Sequence, residues 1–273
     1  MSESDTKWAA CIVYYEDEKA LKELISDLLN QSLKPTEIFI ADNNSTKSPE
    51  LGNTSNITTI KLSKNLGFGS AANCAIKSAI DNNFEKFILF SQDVRLENNS
   101  CEEIMKVLNQ INGIVFPTMI NRKTDKVFSK GGTINNLTGK IKLSIDKVPN
   151  QVSWADGSCL AFTKEVFVQN KEFYEKYFMY FEDVDFCSKS KFNNFKLSHA
   201  KTTVSQNPNG PDCYLRSRNS IILTRRLNSL FLKISVTKRN ILGALLLFAK
   251  LRFQDSKQRI LGIWDGWRLN LDQ

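Results

Sequence analysis

Apolar runs and amphipathic stretches alternate through the first 120 residues. Ala9 to Tyr15 is wholly apolar and reads as a buried strand. Asp17 to Gln31 follows, with Leu21, Leu24, Ile25, Leu28 and Leu29 at helical spacing. Glu37 to Ala41 reads as a second strand and ends in the polar cluster Asp42-Asn43-Asn44-Ser45. Ile57 to Leu62 makes a third strand, Gly67 to Ala79 a helix with a glycine-rich start, and Phe87 to Phe90 a fourth strand running into Ser91-Gln92-Asp93. This alternation predicts an α/β fold: a mostly parallel sheet flanked by helices. Ligands in such sheets bind at the carboxyl ends of the strands. Asp42, Asn65 and Asp93 all fall just past predicted strand ends.

The pattern then loosens. Lys123 to Gln151 is rich in Lys, Asn, Gly and Thr and reads as a hairpin or mobile excursion. Beyond it the pattern predicts a strand near Ser158 to Phe162, a helix from Thr163, a strand over Tyr177 to Phe181 and a helix over Glu182 to Phe192. From Arg216 the chain reads as helical almost to its end. The expected division is a main domain over 1–225 and a helical, basic and amphipathic extension over 226–273.

Composition narrows the class. The chain has 273 residues, 41% hydrophobic and 24% charged, which suits a globular domain with a sizeable core. The net charge of +8 points to an anionic partner. From Arg216 to Arg268 there are twelve basic residues against Asp255 and Asp265. The charge is late and no base-reading motif accompanies it, which argues against nucleic acid. The six cysteines are scattered with no C-x-x-C pair, as expected of free thiols in a reducing compartment. The polar start MSESDTKW does not resemble a secretory leader. The longest apolar run, Ile241 to Ala249, falls well short of the roughly 20 residues a bilayer span needs. The expected location is cytoplasmic, with peripheral attachment to the inner face of the membrane.

Four segments carry candidate chemistry. Asp42-Asn43-Asn44-Ser45 can simply cap a turn; alternatively Asp42 accepts a hydrogen bond from a nucleobase imide. Asn65-Leu-Gly-Phe-Gly-Ser-Ala-Ala-Asn73 lets backbone N–H groups approach an anion, though no Gly-Lys-Ser/Thr follows to make it a Walker loop. Asp93, at the end of a strongly apolar strand, can cap a helix or hold a divalent ion bridging a diphosphate. Phe178-Met-Tyr-Phe-Glu182-Asp183-Val-Asp185 sets three carboxylates beside aromatics. That is either an acidic first helical turn or a site of raised pKa suited to a general base.

Order and spacing join these segments. Ile12-Val-Tyr-Tyr15, Ile40 to Ser45, Asn65 to Asn73, Phe90-Ser-Gln-Asp93, Asp156-Gly-Ser-Cys159, Phe178 to Asp185 and Arg218-Asn219 together resemble the inverting family 2 glycosyltransferases of GT-A fold, especially the rhamnosyltransferase-like bacterial branch. The resemblance covers roughly residues 8 to 225. It implies a nucleotide-diphosphate sugar donor, dTDP- or UDP-linked with rhamnose as one sugar. The acceptor would be a hydroxyl of a glycan or lipid-linked molecule in bacterial surface polysaccharide synthesis. It implies Asp183 as the base with Glu182 beside it. Tyr14, Asp42, Asn65, Gly67, Ser91, Gln92, Asp93 and Arg218 would line the nucleotide sugar. Trp154, Asp156 and Gly157 would lie on the acceptor side. It also implies a divalent cation, Mg²⁺ or Mn²⁺, on Asp93.

Two departures concern that metal. Ser91 stands where the family usually has an acid, and Gln206 where many members have a histidine, so Gln206 would coordinate through its carbonyl oxygen. The single histidine, His199, lies too early and reads as structural. These departures keep a catalytically weak nucleotide-sugar-binding homologue as an alternative. A sugar nucleotidyltransferase is the other, although no basic glycine-rich activation loop stands near the N-terminus. In the tail, Leu242, Leu245, Leu246, Ala249 and Phe253 share a helical face. Lys238, Arg239, Lys250, Arg252 and Lys257 lie on or beside the other. Such a helix either packs on a core or lies on an anionic membrane surface.

Overall fold

The computed structural model describes residues 6–51, 55–135, 137–208, 210 and 212–271. The polar start at residues 1–5 lies outside them. The chain divides into two compact units. The first comprises Met1–Thr133, Leu143–Glu175 and Glu182–Pro208, and the second Ile134–Lys142, Lys176–Phe181 and Asn209–Gln273. Residues 209–225 therefore group with the helices that follow them.

The first unit is built on a nine-stranded sheet. β1 (Ala9–Tyr14) is buried along its whole length, as a central strand covered on both faces must be. Asp17 accepts from the Ala20 N–H and starts α1 (Glu18–Leu29), which buries Leu21, Leu24, Ile25 and Leu28. β2 (Glu37–Asp42) pairs parallel with β1 on one side, and β3 (Ile57–Lys61) pairs parallel with β2. After α2 (Phe68–Asp81), β4 (Lys86–Ser91) returns parallel on the other side of β1. The chain thus reverses direction across the sheet at β1, which opens a crevice beyond the strand ends. In this register Tyr14 lies opposite Asp42, and Val13 opposite Ser91.

This half of the sheet follows the expected parallel order; the other half is mixed. The remaining strands are β5 (Arg95–Leu96), β6 (Gly113–Asn121), β7 (Lys126–Ser129), β8 (Gly132–Ile134), β9 (Ile141–Leu143), β10 (Cys159–Thr163) and β11 (Lys196–Gln206). β10 runs antiparallel between β4 and β6. β11 pairs parallel with β6 and antiparallel with β5. The backbones of β6 and β11 meet closely at Gly113, where an added Cβ would lie 1.9 Å from the Lys196 carbonyl oxygen. The polar 123–151 segment folds as β7 back on β6 and as a two-stranded ribbon of β8 and β9. α3 (Ser100–Leu108) packs with α1 on the face that carries Cys159 and Ala161, whereas α4 (Lys164–Gln169) and α5 (Glu182–Phe192) lie on the face of Phe162. Phe162 of β10 packs with Phe167, Phe173 and Phe186. His199 hydrogen-bonds Thr118 at 2.8 Å and meets the Phe116 ring, a structural setting.

The second unit contains α6 (Cys213–Arg226), α7 (Leu230–Ala249) and α8 (Phe253–Arg268). Asp212 caps α6 and Ser229 caps α7, each accepting from an N–H three residues on. One expectation fails here: Tyr177 to Phe181 is not a strand. A 3-10 turn, Glu175–Tyr177, leads into a loop with Phe178, Tyr180 and Phe181 at φ of 68°, 68° and 77°. Three left-handed residues cannot belong to an extended strand. Asn219 on α6 holds the loop, its amide donating to the carbonyls of Met179 at 2.8 Å and Tyr180 at 2.9 Å.

Candidate active site

The carboxyl ends of β1, β2 and β4 carry the first group of site residues. Tyr14 is buried, and burial raises its hydroxyl pKa, against the hydrogen bond to Ser45. Asp42 is fully buried. Burial pushes its pKa up, but the Ser45 N–H at 2.8 Å and the Lys61 ammonium at 2.9 Å together bring it below the usual carboxylate value. Asp42 is therefore an anion. Lys61, which the sequence pattern did not single out, stands beside it because β3 pairs Lys61 with Asp42 in register. Asn43 stood in the sequence only as part of the polar cluster after β2. It locks the glycine-rich loop, donating to Asn65 at 2.9 Å and accepting from the Leu66 N–H at 2.8 Å. Gly67, at φ 85°, then starts α2 without any side-chain cap over its first N–H groups.

At the end of β4, Gln92 clasps the Tyr15 backbone, accepting from its N–H at 2.6 Å and donating to its carbonyl at 2.9 Å. Asp93 accepts from the Ser91 hydroxyl at 2.7 Å and from Gln206 Nε2 at 2.8 Å. Gln206, the last residue of β11, thus meets Asp93 with its amide nitrogen and not with the carbonyl oxygen expected to hold a metal. Among the described residues no group of three or more His, Cys, Asp or Glu forms a metal cluster. What remains is one carboxylate with neutral neighbours, all hard donors. That set suits Mg²⁺ or Mn²⁺ when phosphate oxygens and water complete the shell.

The acids on α5 form the second group. Asp183 Oδ2 accepts from the Gly157 N–H at 3.0 Å, and an added Cβ on Gly157 would lie 2.9 Å from the Asp183 Cβ. Glycine there is what lets the carboxylate seat on the backbone. Burial, then the charge of Asp156, pushes Asp183 up to about 7. Burial, then the charge of Asp183, raises Glu182 well above the ordinary range. The two acids differ in access. Glu182 is only 6% exposed, packs beneath Gly69 of α2 and keeps one oxygen without a partner among the described residues, whereas Asp183 is partly exposed. Burial thus favours the protonated form of Glu182, and Asp183 is the more accessible of the two acids. Asp156 is itself raised, first by burial and also by Asp93, while its Oδ1 accepts from the Ser158 N–H at 3.0 Å. Trp154 bridges to Gly132 through the backbone, and its buried indole N–H has no partner among the described residues. Asp185 pairs with Lys189 along the helix at 3.7 Å.

Arg218, expected on the nucleotide, is turned elsewhere. Its guanidinium donates to the carbonyls of Lys176 at 2.7 Å and Tyr177 at 3.1 Å, next to Asn219. Arg218 and Asn219 together hold the loop that runs directly into Glu182. Only the fold brings them to that loop, 40 residues away in sequence, so the Arg218-Asn219 pair was legible as a family segment but the part Asn219 plays was not. Asn219→Ala strands two carbonyls, at a cost of about 1–3 kcal/mol each where they are buried. We expect chymotrypsin to cut faster after Phe178 or Tyr180 in that variant; unchanged protection would mean that something else holds the loop.

The family described as "Glycosyl transferase family 2" matches residues 9–170. The dTDP-rhamnosyl transferase RfbF of Shigella flexneri is 25% identical over 284 residues, covering 96% of this chain and 95% of that protein. The low-salt glycan biosynthesis hexosyltransferase Agl10 of Haloferax volcanii is 26% identical over 200 residues, which is 70% of this chain; the match spans 63% of that protein. Among solved structures, GalNAc-T7 with UDP, GalNAc and Mn²⁺ superposes with a TM-score of 0.67 at 12% identity, over 86% of this chain and 50% of its own. Staphylococcus aureus TarS 1–349 with UDP-GlcNAc gives 0.63 at 15% identity, over 95% and 80%.

Proposed function

This chain belongs to glycosyl transferase family 2 and has the GT-A fold, and from that membership we propose that it is an inverting, divalent-cation-assisted transferase. The donor is a dTDP- or UDP-linked sugar, with rhamnose favoured by the likeness to RfbF along nearly its whole length. The acceptor is a hydroxyl of a glycan or lipid-linked molecule in surface polysaccharide synthesis. The setting is the cytoplasm, at the inner face of the membrane. The observation that carries the reading is the Asp183 carboxylate: seated on the Gly157 N–H, reachable, and tuned to about 7.

The nucleotide lies over the ends of β1 and β2, at Tyr14, Asp42, Asn65 and Gly67, with its diphosphate toward Ser91, Gln92 and Asp93. Asp93 would hold the cation, joined by Gln206 only when its amide turns its carbonyl oxygen inward, and the ion would offset charge on the departing diphosphate. Trp154, Asp156 and Gly157 face the acceptor. Asp183 takes the acceptor's hydroxyl proton as that oxygen attacks the anomeric carbon. The bond to the diphosphate breaks, its electron pair leaves with the nucleotide, and the anomeric configuration inverts. Glu182, held neutral, adds no second negative charge beside the base.

A second reading, a weak transferase that chiefly binds the nucleotide sugar, is favoured by the neutral Ser91 and Gln206 around Asp93. A panel of nucleotide sugars, tested for binding and hydrolysis with Mg²⁺, Mn²⁺ or EDTA, separates the two. We expect a pyrimidine-linked sugar to bind best and to turn over with metal. Equal affinity and turnover in EDTA would remove the cation from the scheme, and tight binding with no turnover would favour the second reading.

A further inference from the structure

The helices of the second unit are inside out. On α7 the buried positions are Leu232, Val236, Asn240 and Ala244. Asn240 lies in a polar network, donating to Ser220 at 2.9 Å and accepting from Arg259 at 3.1 Å. The opposite face presents Leu242, Leu245, Leu246 and Phe248 to solvent, with Leu245 60% and Phe248 59% exposed. α8 repeats the inversion. Its inward residues are Ser256, Gly262 and Gly266, and an added Cβ on Gly262 would lie 2.2 Å from Ser217 Oγ. Trp264 and Trp267 remain outside. A water-facing helix normally places its apolar stripe inward. Of the 22 large hydrophobic residues exposed among those described, 14 lie between Leu230 and Trp267, so the effect belongs to this hairpin and not to the protein surface at large.

Charge identifies what covers it. Between residues 229 and 271 stand eight basic and two acidic residues. The acids are engaged within the unit, Asp255 with Arg252 and Asp265 with the Tyr214 hydroxyl. Lys238 rises from the middle of the apolar face of α7, and Arg268 lies over the Trp264 ring at 5.2 Å. A second copy pressed against this face would set one cationic surface on another. A bilayer of anionic lipids would take both components, the leucines among the acyl chains and the cations among the phosphates, with tryptophan at the boundary between them. No helix among the described residues is long and apolar enough to cross a membrane, so the contact lies in the plane of the surface.

We infer that the α7–α8 hairpin is a membrane-docking surface that lies flat on an anionic lipid leaflet, with Leu242, Leu245, Leu246, Phe248, Leu251 and Trp264 inserted to the depth of the upper acyl chains. This sharpens the proposed peripheral location to a defined face. It does not depend on the sugar-transfer chemistry.

The test is sedimentation of the full chain with vesicles of phosphatidylcholine, with and without phosphatidylglycerol, at low and high salt. Binding should be at least about tenfold tighter to the charged vesicles, since several basic side chains contribute near the surface, and should weaken with salt. Trp264 emission should shift to the blue on binding. The double substitution Leu245→Glu with Leu246→Glu, at exposed positions, should abolish sedimentation while leaving the circular dichroism and sugar transfer to a soluble acceptor unchanged. A parent chain that binds the charged vesicles but transfers no sugar would count against the enzymatic reading alone. A chain that stays in solution with both vesicles, a double variant that binds as well as the parent, or a lipid-free dimer that the double substitution dissociates would each overturn the docking proposal.

Discussion

Asp183→Asn is expected to lower sugar transfer by about 10²–10⁴, the usual contribution of a general base, with nucleotide-sugar affinity nearly unchanged. Asparagine has the shape of the carboxylate, and its carbonyl oxygen can still accept from the Gly157 N–H; its amide nitrogen then faces the Val184 N–H that Asp183 Oδ1 accepts at 2.7 Å, so one local hydrogen bond is lost along with the base. The pH dependence sharpens the assignment. The base must be deprotonated, and burial with the nearby Asp156 charge raises it to about 7. The rate of transfer should therefore rise with pH through the neutral range and level off above it. Because the folded value lies above the ordinary 3.8, this group's stabilising contribution is full in acid and is lost as pH rises through about 7. Asp183→Asn should thus be relatively more stable than the parent at neutral and higher pH than in acid, a common exchange of function for stability. Thermal unfolding at both pH values checks this. Transfer at the parental rate in the variant would remove Asp183 from the role of base.

Phe186→Ala is expected to cause the largest loss of stability. The Phe186 ring stacks on Phe173 at 4.3 Å with 20° between the planes and packs on Phe162 at 5.2 Å. It is fully buried, so truncation opens a cavity that rigid neighbours on β10 cannot close. The cost is about 3–5 kcal/mol, a fall of about 6–20 °C in melting temperature for a unit of this size. The same ring anchors the helix that starts at Glu182 and Asp183. Transfer should therefore fall at temperatures well below those that inactivate the parent. A melting temperature within a degree or two of the parent would show that α5 is anchored elsewhere.

How far the site was legible depended on the range of the forces involved. Asp42, Asn65 and Asp93 were singled out because short apolar runs mark buried parallel strands, and polar residues after such runs stand at the open end of the sheet. Lys61 and Asn43 escaped because their roles rest on strand register and on a loop folding back. Phe178 to Phe181 misled for a related reason. An aromatic-rich run has strand propensity, but its backbone is set by hydrogen bonds to Asn219, far along the chain.

The sequence by itself determined the α/β alternation, the family, the order of the chemical segments and the acidic start of α5, since each is written in local periodicity or in contiguous residues. Only the tertiary structure decided the finer assignments. It mixed the sheet beyond β4, since antiparallel β10 inserts between β4 and β6. It buried Glu182 and left Asp183 partly exposed, since burial is a property of the packed chain. It turned Gln206 and Arg218 to partners other than those expected. It also set the leucines of α7 outward, since helical periodicity identifies an apolar face but not the direction in which packing turns it.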